Sequence, residues 1–167
     1  MVMSPAQQVF LLLLSNARQS TERTRRFYEE VSHYAPYADI KADLQARAAI
    51  ANNTVATLDE CFRLVGAQPV RGRARMEEVF ADDFRHELIE IQSPAAIALY
   101  ILAKAAHLQN LRTGEYVALA ATAEVTGHPE IAVLLDRCLA DHITCAGKTG
   151  QMIRNAVTER MSGRVAA

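Results

Sequence analysis

The stretch from Ser93 to Gly127, SPAAIALYILAKAAHLQNLRTGEYVALAATAEVTG, decides the fold. It opens with a serine in N-cap position and a proline just inside, and it closes on glycine followed by His128-Pro129. These are the start and stop signals of a helix. No further proline interrupts it, and apolar side chains recur at Ile101, Ala105, Leu108, Tyr116, Leu119 and Ala123. Steps of three and four, or their sums, put these residues on one face of a long α-helix. Midway along that face stand Gln109 and Arg112, where apolar residues belong. Polar groups halfway along a buried stripe either serve a site or mark where one has been.

Outward from this central helix the same punctuation recurs. Ser4-Pro5-Ala6-Gln7 reads as a capping box with proline at the first helical position. The helix it opens carries Phe10, Leu14, Ala17, Thr21, Thr24, Tyr28 and Val31 on one side and is expected to end near Pro36. A second helix starts around Asp39, with Leu44, Ala48, Ala51, Val55, Leu58, Phe62 and Val65 as its stripe, and is stopped by Gly66 and Pro69. A crossover follows: a basic loop, Val70 to Arg75, then a short helix from Met76 to Ile91 with Val79, Phe80, Phe84, Leu88 and Ile91 as its buried side. After the central helix, a last one starts at Pro129 along Ile131, Leu135, Cys138, His142, Cys145, Thr149 and Met152. Gly147 and Gly150 predict a kink or fraying at its far end, and the tail from about Ser162 reads as disordered.

The prediction is an all-α chain: two long helices joined tightly, a crossover with a short extra helix, and two more long helices joined tightly. That is the connectivity of a ferritin-like four-helix bundle. Half of the 167 residues are hydrophobic, glycine and proline are few and tryptophan is absent, a profile that suits one helical domain spanning 1–167. A net charge of −1 argues against a nucleic-acid partner, which requires a basic surplus, and it permits self-association as a homodimer. The apolar run Val9 to Leu14 has no basic residue before it and is too short for a signal peptide, and no stretch is long enough for a membrane span. Three cysteines, Cys61, Cys138 and Cys145, an odd number in a chain too large to need staples, read as reduced thiols of a cytoplasmic protein.

A ferritin-like di-metal site asks for a Glu from each of two helices and Glu-x-x-His from each of the other two, at mid-bundle. The stripes here deliver a different layer. The first helix offers Ala17, Thr21 and Thr24 with Glu22 one position off, and the second offers Arg47, Ala48, Ile50 and Ala51. The central helix offers Gln109 and Arg112, and the last offers Cys138, His142 and Cys145 with Asp141 beside them. Iron and manganese need several anionic oxygens. This layer is short of them and adds cations. Arg112, in a core position, needs a carboxylate, and Asp141, Glu22 and Glu115 are the candidates; a rotated helix would instead put its head in water at the bundle edge.

Several features in order, Leu58…Phe62…Leu64-Val65-Gly66…Pro69, Met76, Tyr116, Ala123-Glu124…Gly127-His128 and Leu134-Leu135, together resemble the YciE/YciF family of ferritin-like stress-associated proteins over Leu11 to Val157. The resemblance implies the bundle fold, and it implies a di-metal site at positions where this sequence departs. Arg47 and Ile50 stand where the family has His-x-x-Glu, and Gln109-Asn110-Leu111-Arg112 where it has Glu-His-Tyr-Glu. Asp141-His142 stands for its acidic pair, and Glu22 for its first-helix glutamate. The chain reads as a divergent member lacking most metal ligands.

Three functional readings follow. The first is a non-catalytic, metal-free bundle without cofactor, of structural or stress-associated role. The second is a divergent di-iron or di-manganese oxidase or ferroxidase using Glu22, Asp141 and His142. The third is a zinc or thiol sensor on Cys138, His142 and Cys145, spaced i, i+4, i+7 on one helix, with Cys61 from another. Three ligands from one helix do not readily close a tetrahedron, and buried cysteine more often acts as a small hydrophobe. Glu30-Val31-Ser32-His33, the one Glu-x-x-His, lies near a helix end and reads as solvated. Arg71, Arg73 and Arg75 are balanced by Glu77, Glu78, Asp82 and Asp83 directly after them.

Overall fold

Start and stop signals in the chain become helix ends in the computed structural model, which describes residues 3–72 and 75–161. The helices are α1 (Pro5–Ser32), α2 (Ala38–Val65), α3 (Met76–Ile89), α4 (Pro94–Val125) and α5 (Pro129–Asn155), the last running on into a π-helical segment, Ala156–Met161. Arg73 of the basic cluster and the tail from Ser162 lie outside the described residues. The four long helices have 28, 28, 32 and 27 residues, about 40–48 Å each. α1 packs on α2 and α4 on α5, with α3 laid across α1 and α4. The chain is thus an all-α, ferritin-like bundle with its short extra helix in the crossover.

Local chemistry explains the ends. Ser4 and Gln7 form the reciprocal capping box, with Ser4 N–H donating to Gln7 Oε1 at 2.9 Å and Gln7 N–H to Ser4 Oγ at 3.2 Å. Gly66 (φ 70°) and Gly127 (φ 82°) end α2 and α4 in the left-handed conformation. The amides after them reach back, Ala67 to Phe62 O at 3.2 Å and His128 to Ala123 O at 2.9 Å, the six-residue closure that needs a residue without Cβ strain at its corner. Ser93 occupies the N-cap position of α4, but its side chain makes no capping hydrogen bond.

Two expectations need correcting. α3 ends at Ile89, its Val79 is 53% exposed, and Glu77 is buried instead. Glu77, Phe84 and Leu88 form the inward line, because a buried cation on α4 draws the carboxylate inward at the cost of Val79. The fraying expected around Gly147 and Gly150 is also absent, and α5 continues to Asn155. Gly147 faces open space, so it weakens helix propensity without removing a contact, while Thr149 and Ala156 stay buried. Arg160 pairs with Asp39 at 2.9 Å and lies over the Tyr37 ring, tying the C-terminal end of the helix to the start of α2.

The core divides in two. One apolar cluster joins Phe10, Leu14, Leu58, Phe62, Leu119 and Leu135 near one end. The other joins Phe27, Val31, Ile40, Leu44, Phe84, Ile101 and Leu108 near the opposite end. Between them lies a layer of buried polar and charged side chains: Thr21, Thr24, Asp43, Arg47, Glu77, Gln109, Arg112, His142 and Thr149.

Candidate functional site

That layer is where helices of this topology can converge on a ligand, and two guanidinium groups fill it. Arg47, on α2, is 3% exposed. Its Nε donates to Asp43 Oδ2 at 2.6 Å, one turn earlier on the same helix. Its Nη1 reaches Gln109 Oε1 at 3.5 Å, and its Nη2 donates to Cys145 O at 3.2 Å and to Thr149 Oγ1. Lys148 lies 3.2 Å from the second oxygen of Asp43. Thus Arg47 ties α2 to α4 and α5.

Arg112, on α4, is 2% exposed, so the alternative of a solvated head at the bundle edge is excluded. Its Nη2 donates to Glu77 Oε1 of α3 at 2.8 Å. Its Nη1 lies 2.8 Å from Glu115 Oε2, an ion-pair distance without hydrogen-bond alignment, and its Nε has no hydrogen-bond partner among the described residues. Of the three carboxylates anticipated for it, Glu115 is reached. Glu22 and Asp141 are not, and Glu77 was not foreseen. Burial pushes the Glu115 carboxyl up to about 7, against the pull of Arg112 and with the help of Glu77. One buried cation is thus shared between two carboxylates, one of which sits at the edge of ionisation near neutral pH.

His142 is fixed by Gln109. The amide nitrogen of Gln109 lies 2.7 Å from His142 Nδ1 and 2.9 Å from His142 O, while its Oε1 accepts from Arg47. An amide nitrogen only donates, so Nδ1 is the acceptor and the ring proton belongs to Nε2. Burial, then the nearby Arg112 and Arg47 charges, lower this histidine to about 4, so it is neutral at physiological pH. Tyr116 stacks on the ring at 4.8 Å, and its hydroxyl shares a 2.7 Å hydrogen bond with Thr21 Oγ1. Among the described residues, His142 Nε2, Tyr28 OH and Thr24 Oγ1 have no hydrogen-bond partner. They belong to residues around a void of about 10 Å³, room for roughly one water molecule.

The other candidates scatter. Glu22 is turned away from the centre and held by Arg25 and Arg26 on its own helix, whose hydrogen bonds lower its carboxyl to about 2. Asp141 is exposed, and Ile50 is half-buried on the wall of the void. Cys138 lies in an apolar cluster with Cys61, and burial raises both thiols, Cys61 to about 12. Burial also raises Cys145, on the void. A metal or redox partner needs a thiolate, which these surroundings oppose. Glu30 of the lone Glu-x-x-His receives two hydrogen bonds from Arg85 of α3, at 2.6 and 2.8 Å, so it fastens the crossover helix to α1.

These residues do not fit a di-metal centre. Among the described residues, no three of histidine, cysteine, aspartate and glutamate stand together to hold a metal ion. At the centre the neutral His142 offers no free lone pair in its assigned tautomer, and Arg47 and Arg112 add positive charge where a cation would sit. What fold and site define is a ferritin-like bundle whose central layer is held by guanidinium–carboxylate pairs.

The chain belongs to the family described as a domain of unknown function, DUF892, whose model matches residues 6–162. Its backbone is similar to the crystal structure of the Escherichia coli stress protein YciF, with a TM-score of 0.88 at 18% identity over 95% of this chain and 100% of that one. YcfI from Rhodopseudomonas palustris follows with a TM-score of 0.83 at 18% identity, over 88% of this chain and 94% of that one. A Xanthomonas campestris protein gives 0.77 at 13% identity, over 95% and 98%. No curated protein sequence matches the chain. The expected kinship with YciE/YciF-like proteins therefore holds. Among the described residues no helix is long and apolar enough to cross a membrane.

Proposed function

We propose that this chain is a metal-free member of the ferritin-like class: a non-catalytic, cytoplasmic bundle with a structural or stress-associated role. The observation that carries the reading is the pair of buried guanidiniums, Arg47 paired with Asp43 and Arg112 with Glu77, with Glu115 beside them at mid-bundle. Those carboxylates are committed to arginines, and a cation placed there meets positive charge before it meets a donor. Likeness to a stress protein supports the role, and three unpaired cysteines support a reducing compartment.

Elemental analysis of protein purified without chelator tests the reading. The expected result is no stoichiometric iron, manganese or zinc, and no oxygen uptake when ferrous iron is added. About two equivalents of iron or manganese per chain, the loading of a di-metal centre, overturns it. So does ferrous-dependent oxygen uptake that disappears in His142→Ala.

A further inference from the structure

The void at mid-bundle is surrounded by donors. Four buried groups on residues that line it have no hydrogen-bond partner among the described residues: Thr24 Oγ1, Tyr28 OH, Arg112 Nε and His142 Nε2. Three long helices supply them, α1 the two hydroxyls, α4 the guanidinium and α5 the imidazole. Thr24, Tyr28 and Arg112 are each 2% exposed and His142 6%, so bulk water satisfies none of them. Arg112 Nε only donates, and so does His142 Nε2 in the tautomer that Gln109 imposes. Both arginines stand on the wall of the void, and among the described residues no aspartate or glutamate does. Asp43, Glu77 and Glu115 take the guanidiniums from outside that wall. The positive charge is felt at the ring, since Arg112 and Arg47 both help to lower His142 and no carboxylate opposes them.

We infer that this void is a binding site for one monatomic, monovalent anion, a halide such as chloride. The balance of donors and acceptors selects it over water. A water molecule accepts from the guanidinium and the imidazole and donates to the two hydroxyl oxygens, and both hydroxyl protons then lack an acceptor. A halide accepts all four. Charge acts in the same direction. An anion entering a low-dielectric site loses its hydration, a cost met only where donors and a positive field replace it, and this site supplies both. Size excludes larger anions: a void of about 10 Å³ holds roughly one water-sized particle, whereas phosphate, sulfate and carboxylates are polyatomic. The inference rests on the metal-free reading, because it assigns to an anion the centre where the ferritin-like class holds cations.

Urea unfolding and refolding of the full chain at constant ionic strength, with chloride exchanged for gluconate, reads the site. The folding constant is expected to rise with chloride, approaching about tenfold for each tenfold of chloride, the slope of one bound ion. Bromide is expected to replace chloride, and crystals grown in bromide to show one anomalous peak at mid-bundle, within hydrogen-bond distance of His142 Nε2. Tyr28→Phe removes one donor, keeps the ring and is expected to weaken chloride binding at least about tenfold. Thr24→Val repeats the test should Tyr28→Phe misfold. Arg71→Gln, in the exposed crossover loop, leaves the chloride dependence unchanged. Three results overturn the inference: unfolding indifferent to chloride, a central peak without bromine signal, or a chloride dependence lost in Arg71→Gln and kept in both buried variants. The elemental assay separates the two readings. Stoichiometric metal overturns both, whereas a metal-free chain without halide overturns this one alone.

Discussion

Two arginines stand in the same layer and are buried to the same degree, yet they are held in different ways. Arg47 takes its counter-charge from Asp43, one turn away on its own helix, and spreads its other donors over Gln109, the Cys145 carbonyl and Thr149. Arg112 takes Glu77 from the crossover helix and Glu115 from its own, and among the described residues leaves Nε without a partner. The first network is mostly local in charge and complete in hydrogen bonds. The second depends on a separate helix and is incomplete. Arg47 therefore stabilises the packing of α2 on its neighbours, whereas Arg112 decides whether α3 sits where it does. Buried charge tolerates this because each guanidinium has at least one carboxylate within 3 Å; a cation without one would cost several kcal/mol.

The largest expected effect follows from that dependence. Among the described residues, Arg112→Leu leaves the buried Glu77 with Arg23, 4.0 Å away, as its one counter-charge. Loss of about 3–5 kcal/mol is expected, read by urea unfolding, and Arg112→Leu combined with Glu77→Leu should recover most of it. If the double variant is no more stable than the single, the coupling between α4 and α3 assigned here does not exist.

Next comes the response to pH, where Glu115 and His142 act with opposite signs. Glu115 has a folded value of about 7 against an ordinary 4.5, so its contribution is full below about 4.5 and is lost as pH rises through 7. His142 has a folded value of about 4 against an ordinary 6.5, so its contribution is full above about 6.5 and is lost as pH falls through 4. Between 4.5 and 6.5 the folded chain keeps its proton on Glu115 and the unfolded chain on His142, and the two slopes cancel. Unfolding free energy should be flat there with respect to this pair, then fall on both sides by only about 0.7 kcal/mol, because half a pH unit of each shift lies outside the window of cancellation. Glu115→Gln should remove the alkaline fall and leave a rise of about 3 kcal/mol from pH 4 to 6.5, and His142→Gln should leave a fall of about 3 kcal/mol from pH 4.5 to 7. A Glu115→Gln variant as flat as the wild type between pH 4.5 and 6.5 sinks the assignment.

The smallest effect should come from the better-served arginine. Arg47→Leu strands Asp43, but Lys148 is 3.2 Å from it and itself 62% exposed, so the carboxylate keeps a cation and a path to water. A loss of about 2 kcal/mol is expected, smaller than for Arg112→Leu. The reverse order would invert the comparison between the two networks.

Much of this was legible in the chain. The stripes of α1 and α4 are the buried faces observed, because apolar residues at helical spacing have one way to leave water. Gln109 and Arg112 stood out as polar residues in an apolar row, and both are buried. The pair Asp43 and Arg47, four apart on one helix, is readable in the chain as an i, i+4 ion pair. Glu77 was hidden, since Met76–Ile91 taken alone favours Val79 as the inward residue. Only the cation across the seam reverses the choice. The link from Glu30 to Arg85 was hidden likewise, its partners being 55 positions apart.

Sequence alone determined the helices, their order and the polar Gln109 and Arg112 midway along the central stripe, because periodicity, caps and residue type are properties of short stretches. The tertiary structure alone decided which carboxylate meets Arg112 and which nitrogen of His142 carries the proton. Each of these depends on the rotation of one helix against another, a quantity set by the whole packed layer and by no single segment.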